Sequence, residues 1–201
     1  MKVMCINGSP RRNGSCVILL EAILDGMRVA LDTVTFCHLG EKDIRYCSGC
    51  KVCYCVGTCP QTDDVAAILA SLAEADLIIV ASPSYWGDVT GQLKVFFDRN
   101  TPYADTNPHL DRMKIPPGKF GVSVAVRAGQ TERENLHILE TIEHYFGHLG
   151  ITPKGRLSVT AVDTVEDLSC KPEAVEKARI LGASLRESVD IHPVSHYADH
   201  R

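Results

Sequence analysis

Two stretches of this chain are dense in residues able to do chemistry. The first is Cys47-Ser48-Gly49-Cys50-Lys51-Val52-Cys53-Tyr54-Cys55-Val56-Gly57-Thr58-Cys59-Pro60, which holds five of the nine cysteines. Thiolates bind soft metals and exchange with disulfides. Three thiols at Cys47, Cys50 and Cys53 can reach three corners of an iron-sulfur cubane from one curling loop. Cys59 can reach the fourth, and Cys55 is left over. Structural zinc usually takes two separated ligand pairs, whereas here three ligands crowd into seven residues. The spacing therefore favours a [4Fe-4S] cluster, with zinc and free or reversibly oxidised thiols as the alternatives.

The second stretch is Asn7-Gly8-Ser9-Pro10-Arg11-Arg12-Asn13-Gly14-Ser15, set between an apolar run, Val3 to Ile6, and a helical pattern through Val17, Leu19, Ile23 and Met27. A loop that joins a buried strand to a helix start presents unpaired amides at the positive end of the helix dipole, which is an anion site. It lacks both Gly-x-Gly-x-x-Gly and the Gly-Lys-Ser/Thr ending of a triphosphate loop. Hydroxyls at Ser9 and Ser15 and cations at Arg11 and Arg12 suit a phosphate monoester instead. A plain turn with a surface arginine pair is the alternative.

Two later loops share its setting. Ser82-Pro83-Ser84-Tyr85-Trp86-Gly87-Asp88 offers a constrained backbone beside flat aromatic faces, including the only tryptophan, as a heteroaromatic ring with polar edges requires. Arg127-Ala128-Gly129-Gln130-Thr131 is the third. Tyr85 and Trp86 as simple cover for the sheet edge is the competing reading.

The elements needed to position these loops follow from periodicity. Strands are expected at 3–6, 32–39, 76–81, 119–126 and 156–162. Helices are expected after Ser15, from Asp63 to Ala73, from Val89 to Arg99, through Leu136 to Leu149, and from Pro172 to Val189. That alternation implies an α/β doubly wound five-stranded parallel sheet, order 2-1-3-4-5, in which the first, third and fourth strand ends lie side by side. Residues 1–190 then form one domain with a cysteine-rich insertion at 40–62 after strand 2, and residues 191–201 form a tail carrying His192, His196 and His200.

Together the first loop, Ser82 to Gly87, and Gln92-Leu93-Lys94-Val95-Phe96-Phe97-Asp98-Arg99 resemble the flavodoxin-like NAD(P)H-dependent FMN reductases, in particular the iron-sulfur flavoproteins. The resemblance spans roughly residues 1 to 150. It implies FMN, with phosphate on Ser9, Arg11, Asn13, Gly14, Ser15 and Cys16, and the ring against Pro83, Ser84, Tyr85, Trp86 and Gly87. Arg127 and Gly129 would supply further ring contacts. The cysteine run also resembles the iron-sulfur flavoprotein motif, which implies Cys47, Cys50, Cys53 and Cys59 as cluster ligands. Related reductases keep a similar cysteine stretch without a cluster.

The expected function is an FMN-dependent oxidoreductase passing electrons from NAD(P)H or a ferredoxin-type carrier through FMN and the cluster. A dehydrogenase of a small metabolite and a non-catalytic electron carrier or redox sensor are the rivals. No acid-base constellation stands out, so no catalytic residue is assigned. A net charge of −4 with scattered cations gives no reason to expect nucleic acid. No apolar run spans a membrane and no secretory signal is evident, so a cytoplasmic protein is expected. A homodimer or homotetramer is expected because a projecting cysteine loop can shorten the path to a partner's flavin.

Overall fold

The fold was taken from a computed structural model that describes residues 1–28, 30, 33–109 and 115–189. His192, His196 and His200 lie outside the described residues. The strands are β1 (Val3–Asn7), β2 (Val34–His38), β3 (Leu77–Pro83), β4 (Phe120–Val126) and β5 (Thr152–Val159). The helices are α1 (Ser15–Met27), α2 (Val52–Val56), α3 (Val65–Glu74), α4 (Gly91–Arg99), α5 (Glu132–His148), α6 (Val165–Ser169) and α7 (Pro172–Val189). The five strands pair in parallel in the expected order, β2-β1-β3-β4-β5.

Alternation along each strand divides the core into two layers. Met4, Ile6, Ile78 and Val80 pack with Leu69, Leu72, Phe96, Ile142 and Phe146 on the α3, α4 and α5 face. Val3, Cys5, Leu77, Ile79 and Ala81 pack with Leu20, Ile23, Ala178 and Leu185 on the α1 and α7 face. Strands buried on both sides read as continuous apolar runs, which is why β3 and β4 are plain in the sequence.

The last strand begins earlier than the alternation of Leu157, Val159 and Val162 suggests. Pairing with β4 starts at Thr152 and shifts register between Gly121 and Val122. At the other end Ala161, at φ 53°, turns the chain out of the sheet. Its amide donates to the Gly129 carbonyl at 2.8 Å, and Val162 donates to Arg127 at 2.9 Å. Residues 160–162 therefore brace the third loop. The short α6 has no counterpart in the expected elements, although Thr164 and Asp167 form a capping box at its start.

Helices α1 and α7 cross with their backbones nearly touching, at two glycines. A β-carbon on Gly182 would lie 2.0 Å from the Ile23 carbonyl oxygen, and one on Gly26 would lie 2.0 Å from the Arg179 oxygen. Gly147 in α5, by contrast, has open space around it. Gly182→Ala is expected to cost about 1–3 kcal/mol by forcing the helices apart. Gly147→Ala is expected to add about 0.5–1 kcal/mol by removing backbone freedom from the unfolded chain. Thermal melts of the two variants should move in opposite directions, and a common direction would contradict the packing described.

Candidate functional site

The loops after β1, β3 and β4 and the turn after β5 converge on one cleft. Ser9, Arg11, Ser15, Cys16, Pro83, Ser84, Tyr85 and Arg127 line it, joined by Val126, Ala128, Val162 and Asp163. Its floor is the N-terminus of α1, where Gly14 sits at the cap position and no side chain caps the helix. Such a terminus leaves its first amides for an external acceptor. The first loop is braced internally: Ser9 N–H donates to Asn7 Oδ1 at 3.0 Å and Arg11 N–H to Ser9 Oγ at 3.1 Å. Ser15 Oγ donates to the Thr164 carbonyl at 3.0 Å, and the Arg11 guanidinium lies 3.6 Å from the Asp163 carboxylate.

Cys16 is buried in this floor, and burial pushes its thiol up to about 12, with Arg11 pulling weakly the other way. It is therefore neutral at physiological pH. The cleft volume is about 80 Å3, below the ~300 Å3 typical of small-molecule sites, because Arg127 folds across its third wall. The guanidinium donates to Thr131, pairs with Glu134 at 2.8 Å, and would lie 2.3 Å from a β-carbon on Gly129. Its Nε is buried and donates to nothing among the described residues.

Five expected ring or phosphate residues do not line the cleft. Gly14 acts through its backbone as the helix cap, and Gly129 leaves room for Arg127. Trp86 and Gly87 occupy the apex of a tight turn in which Tyr85 and Asp88 exchange both backbone bonds. Both apex residues have positive φ, 56° and 80°, the conformation of a two-residue hairpin turn. Trp86 is thereby thrown outward and is 105% exposed, whereas Tyr85 turns its side toward the cleft. Asn13 also stands outside the lining. Sequence reasoning missed Val162 and Asp163; the capping-box pattern from Thr164 was the available signal that a fourth loop ended here.

The cysteine segment rises beside α4. Its two ends are tied together: Asp64 N–H donates to the Asp43 carbonyl at 3.0 Å, Asp43 N–H to Asp64 Oδ2 at 2.9 Å, and Gln61 Nε2 to the Tyr46 carbonyl at 2.9 Å. At the neck, the Arg99 guanidinium and the Asp63 carboxylate form an ion pair whose side chains are both 1% exposed. Asp63 also accepts from the amides of Arg45 and Val65. Burial pushes the Asp63 carboxyl up, but Arg99 and those two amides outweigh it, so the net shift is downward.

Among the described residues no three His, Cys, Asp or Glu side chains are gathered closely enough to hold a metal ion. The thiols are nevertheless neighbours. Cys53 is raised by burial and then by the charges of Cys59, Cys47 and Cys50. The Val52 amide and the Ser48 hydroxyl hold Cys50 below its ordinary value. Asn107 Nδ2 donates to the Cys53 carbonyl at 3.3 Å. Cys5 and Cys37 are buried in the sheet and are pushed up by burial, Cys37 to about 11, as expected of inert core thiols.

The family model for NADPH-dependent FMN reductase matches residues 1–162, most of the chain. The chain belongs to the NADPH-dependent FMN reductase family. Among curated relatives of this family member, an iron-sulfur flavoprotein of Methanocaldococcus jannaschii is 41% identical, over 95% of this chain and 98% of that one. An iron-sulfur flavoprotein of Archaeoglobus fulgidus is 33% identical, over 94% of this chain and 81% of that one. In fold, the chain is similar to the NAD(P)H:quinone oxidoreductase of Methanothermobacter marburgensis, with a TM-score of 0.71 and 18% identity over 96% of this chain and 98% of that one. Membership makes the protein an FMN-dependent oxidoreductase. Among the described residues no helix is long and apolar enough to cross a membrane.

In this FMN reductase the Asp63-Arg99 pair gives the neck a defined pH response. Because the folded Asp63 value lies below the ordinary 3.8, its stabilisation is complete above that pH and is lost as pH falls through the lower folded value. Asp63→Asn strands a buried guanidinium and should cost about 3–5 kcal/mol at neutral pH. The stability gap between variant and wild type should stay constant from about pH 5 to 8 and close below about pH 4. A gap that persists at acid pH would show that the ion pair is not its source.

Proposed function

We propose that this oxidoreductase passes electrons from NAD(P)H or a ferredoxin-type carrier to an acceptor by way of FMN and a [4Fe-4S] cluster, in a reducing compartment such as the cytoplasm. The observation that carries the flavin part is the uncapped start of α1, ringed by Ser9, Arg11 and Ser15 in a cleft that also holds Pro83, Tyr85 and Arg127. Bound in their places, FMN would exchange two electrons as hydride or one at a time, and the cluster one at a time.

The chain's own residues supply position and charge. The α1 amides and the Ser9 hydroxyl suit phosphate oxygens, Ser15 Oγ anchors the rim by donating to the Thr164 carbonyl, and Arg11 offsets the phosphate's charge. Cys16, neutral at the back of that pocket, opposes no anion. The Arg127 side chain must move aside to admit a ring, and its unpartnered Nε then offers a donor to the ring's polar edge. Pro83 and Tyr85 cover one side and keep water from it.

For the cluster, the donor set is four thiols on one short segment, Cys47, Cys50, Cys53 and Cys59, with Val52 N–H already directed at the Cys50 sulfur. Soft thiolates on one curling loop suit iron and sulfide better than a hard cation. Full exposure of Trp86 and large exposure of Tyr46 and Val56 support a homodimer or homotetramer in which these surfaces are covered.

Protein prepared without oxygen should show flavin absorbance together with about four iron and four sulfide per chain. Serine at Cys47, Cys50, Cys53 or Cys59 should lower iron and leave FMN bound, whereas Cys55→Ser should keep both. NADPH, NADH or a reduced ferredoxin should bleach the flavin, and light scattering should report an oligomer. Flavin without iron would remove the cluster from the reading; failure to bind FMN at all would remove the reading itself.

A further inference from the structure

Arg99, the last residue of α4, is buried to 2% exposure. A buried guanidinium is costly unless every part of it is used. Nη1 donates to the Arg45 carbonyl at 2.8 Å and to Asp63 Oδ2. Nη2 donates to Asp63 Oδ1 at 3.1 Å and to Cys59 Sγ at 3.6 Å. Nε is buried and has no acceptor among the described residues.

Closing the neck of the cysteine segment accounts for Arg45 and Asp63, which flank it on either side. It does not account for the bond to sulfur or for the spare donor. Both would be used if the guanidinium faces a sulfur-rich anion. The same Nη2 is shared between the Asp63 carboxylate and the Cys59 sulfur.

We propose that Arg99 is a positioning residue for the iron-sulfur centre: it holds the Cys59 sulfur by a hydrogen bond and turns the positive end of a buried ion pair toward the cluster. The inference rests on the cluster reading given under Proposed function. Reduction adds one electron from the flavin or an external donor, breaks no bond and takes up no proton, so the centre becomes more negative by one unit. The N–H donated to the Cys59 sulfur, at the positive end of the buried Arg99–Asp63 pair, favours that more negative state and raises the reduction potential.

Two variants separate this role from simple bracing. Arg99→Lys keeps a charge but loses the fork, and the double variant Arg99→Met with Asp63→Leu removes both charges without stranding either. Anaerobic redox titration followed by electron paramagnetic resonance reads the cluster midpoint directly. In the double variant the reduced-to-oxidised ratio at fixed potential should fall about tenfold, equivalent to 59 mV for one electron, with Arg99→Lys between it and wild type. Loss of iron from a variant that melts like wild type and still binds FMN would equally support the hold on Cys59.

An unmoved midpoint in an iron-loaded double variant would overturn the proposal while leaving the cluster reading intact. Iron lost only together with the fold would also overturn it, since Arg99 would then be a brace alone. Wild-type protein without iron would overturn the cluster reading first, and this proposal with it.

Discussion

The loops that build the cleft come together because Gly8 has no side chain. Its amide donates to the Ala81 carbonyl at 2.8 Å, just beyond the β1-β3 ladder. A β-carbon there would stand 3.0 Å from that same oxygen and 3.0 Å from Leu93. The first loop can therefore leave β1 while still pressed against β3 and the start of α4. Thr90 locks this arrangement from the opposite side, donating its hydroxyl to the Gly8 carbonyl at 2.6 Å and its amide to Ser82 Oγ at 3.1 Å. Ser84 N–H then donates to the Val126 carbonyl at 2.7 Å, and Arg127 N–H to Val159 at 3.0 Å. Each strand end is stitched to the next, so the start of α1 and the second loop share one rigid frame.

Much of that frame was legible in the residues. The apolar runs 77–81 and 120–126 are buried on both faces, and no other element suits them. Helix α1 was legible from the loop before it, because a turn rich in Gly, Asn and Ser ahead of an amphipathic pattern marks both a helix start and its orphan amides. The boundaries of β5 were not legible, since Pro153 and Gly155 argue against a strand until an edge position is known. Trp86 was misplaced for a related reason. Aromatic character suggests a wall, and only the paired positive φ values at Trp86 and Gly87 reveal that this position is the outside of a turn.

The cysteine segment was legible as chemistry but not as structure. Residues 40–62 have no period, and what orders them is spread over distant positions: Arg99 from α4, Asn107 from the connection after it, and Asp63 and Asp64 from the entry to α3. A lone arginine at the end of an amphipathic helix ordinarily reads as a solvated charge complementing the helix dipole. Burial beside Asp63 and Cys59 is a tertiary fact that spacing alone does not carry.

Helix α4 links the two regions physically. Its entry residue, Thr90, is bound to the phosphate loop and the second loop, and its exit residue, Arg99, is bound to both flanks of the cysteine segment. The nine residues of the helix rise about 13 Å. A helix of that length packed by Leu93 and Phe96, both fully buried, does not bend readily, so the separation between the cleft and the cysteines is set by backbone geometry and not by side-chain choice. Within one chain the two regions are thus held apart as firmly as they are held in register.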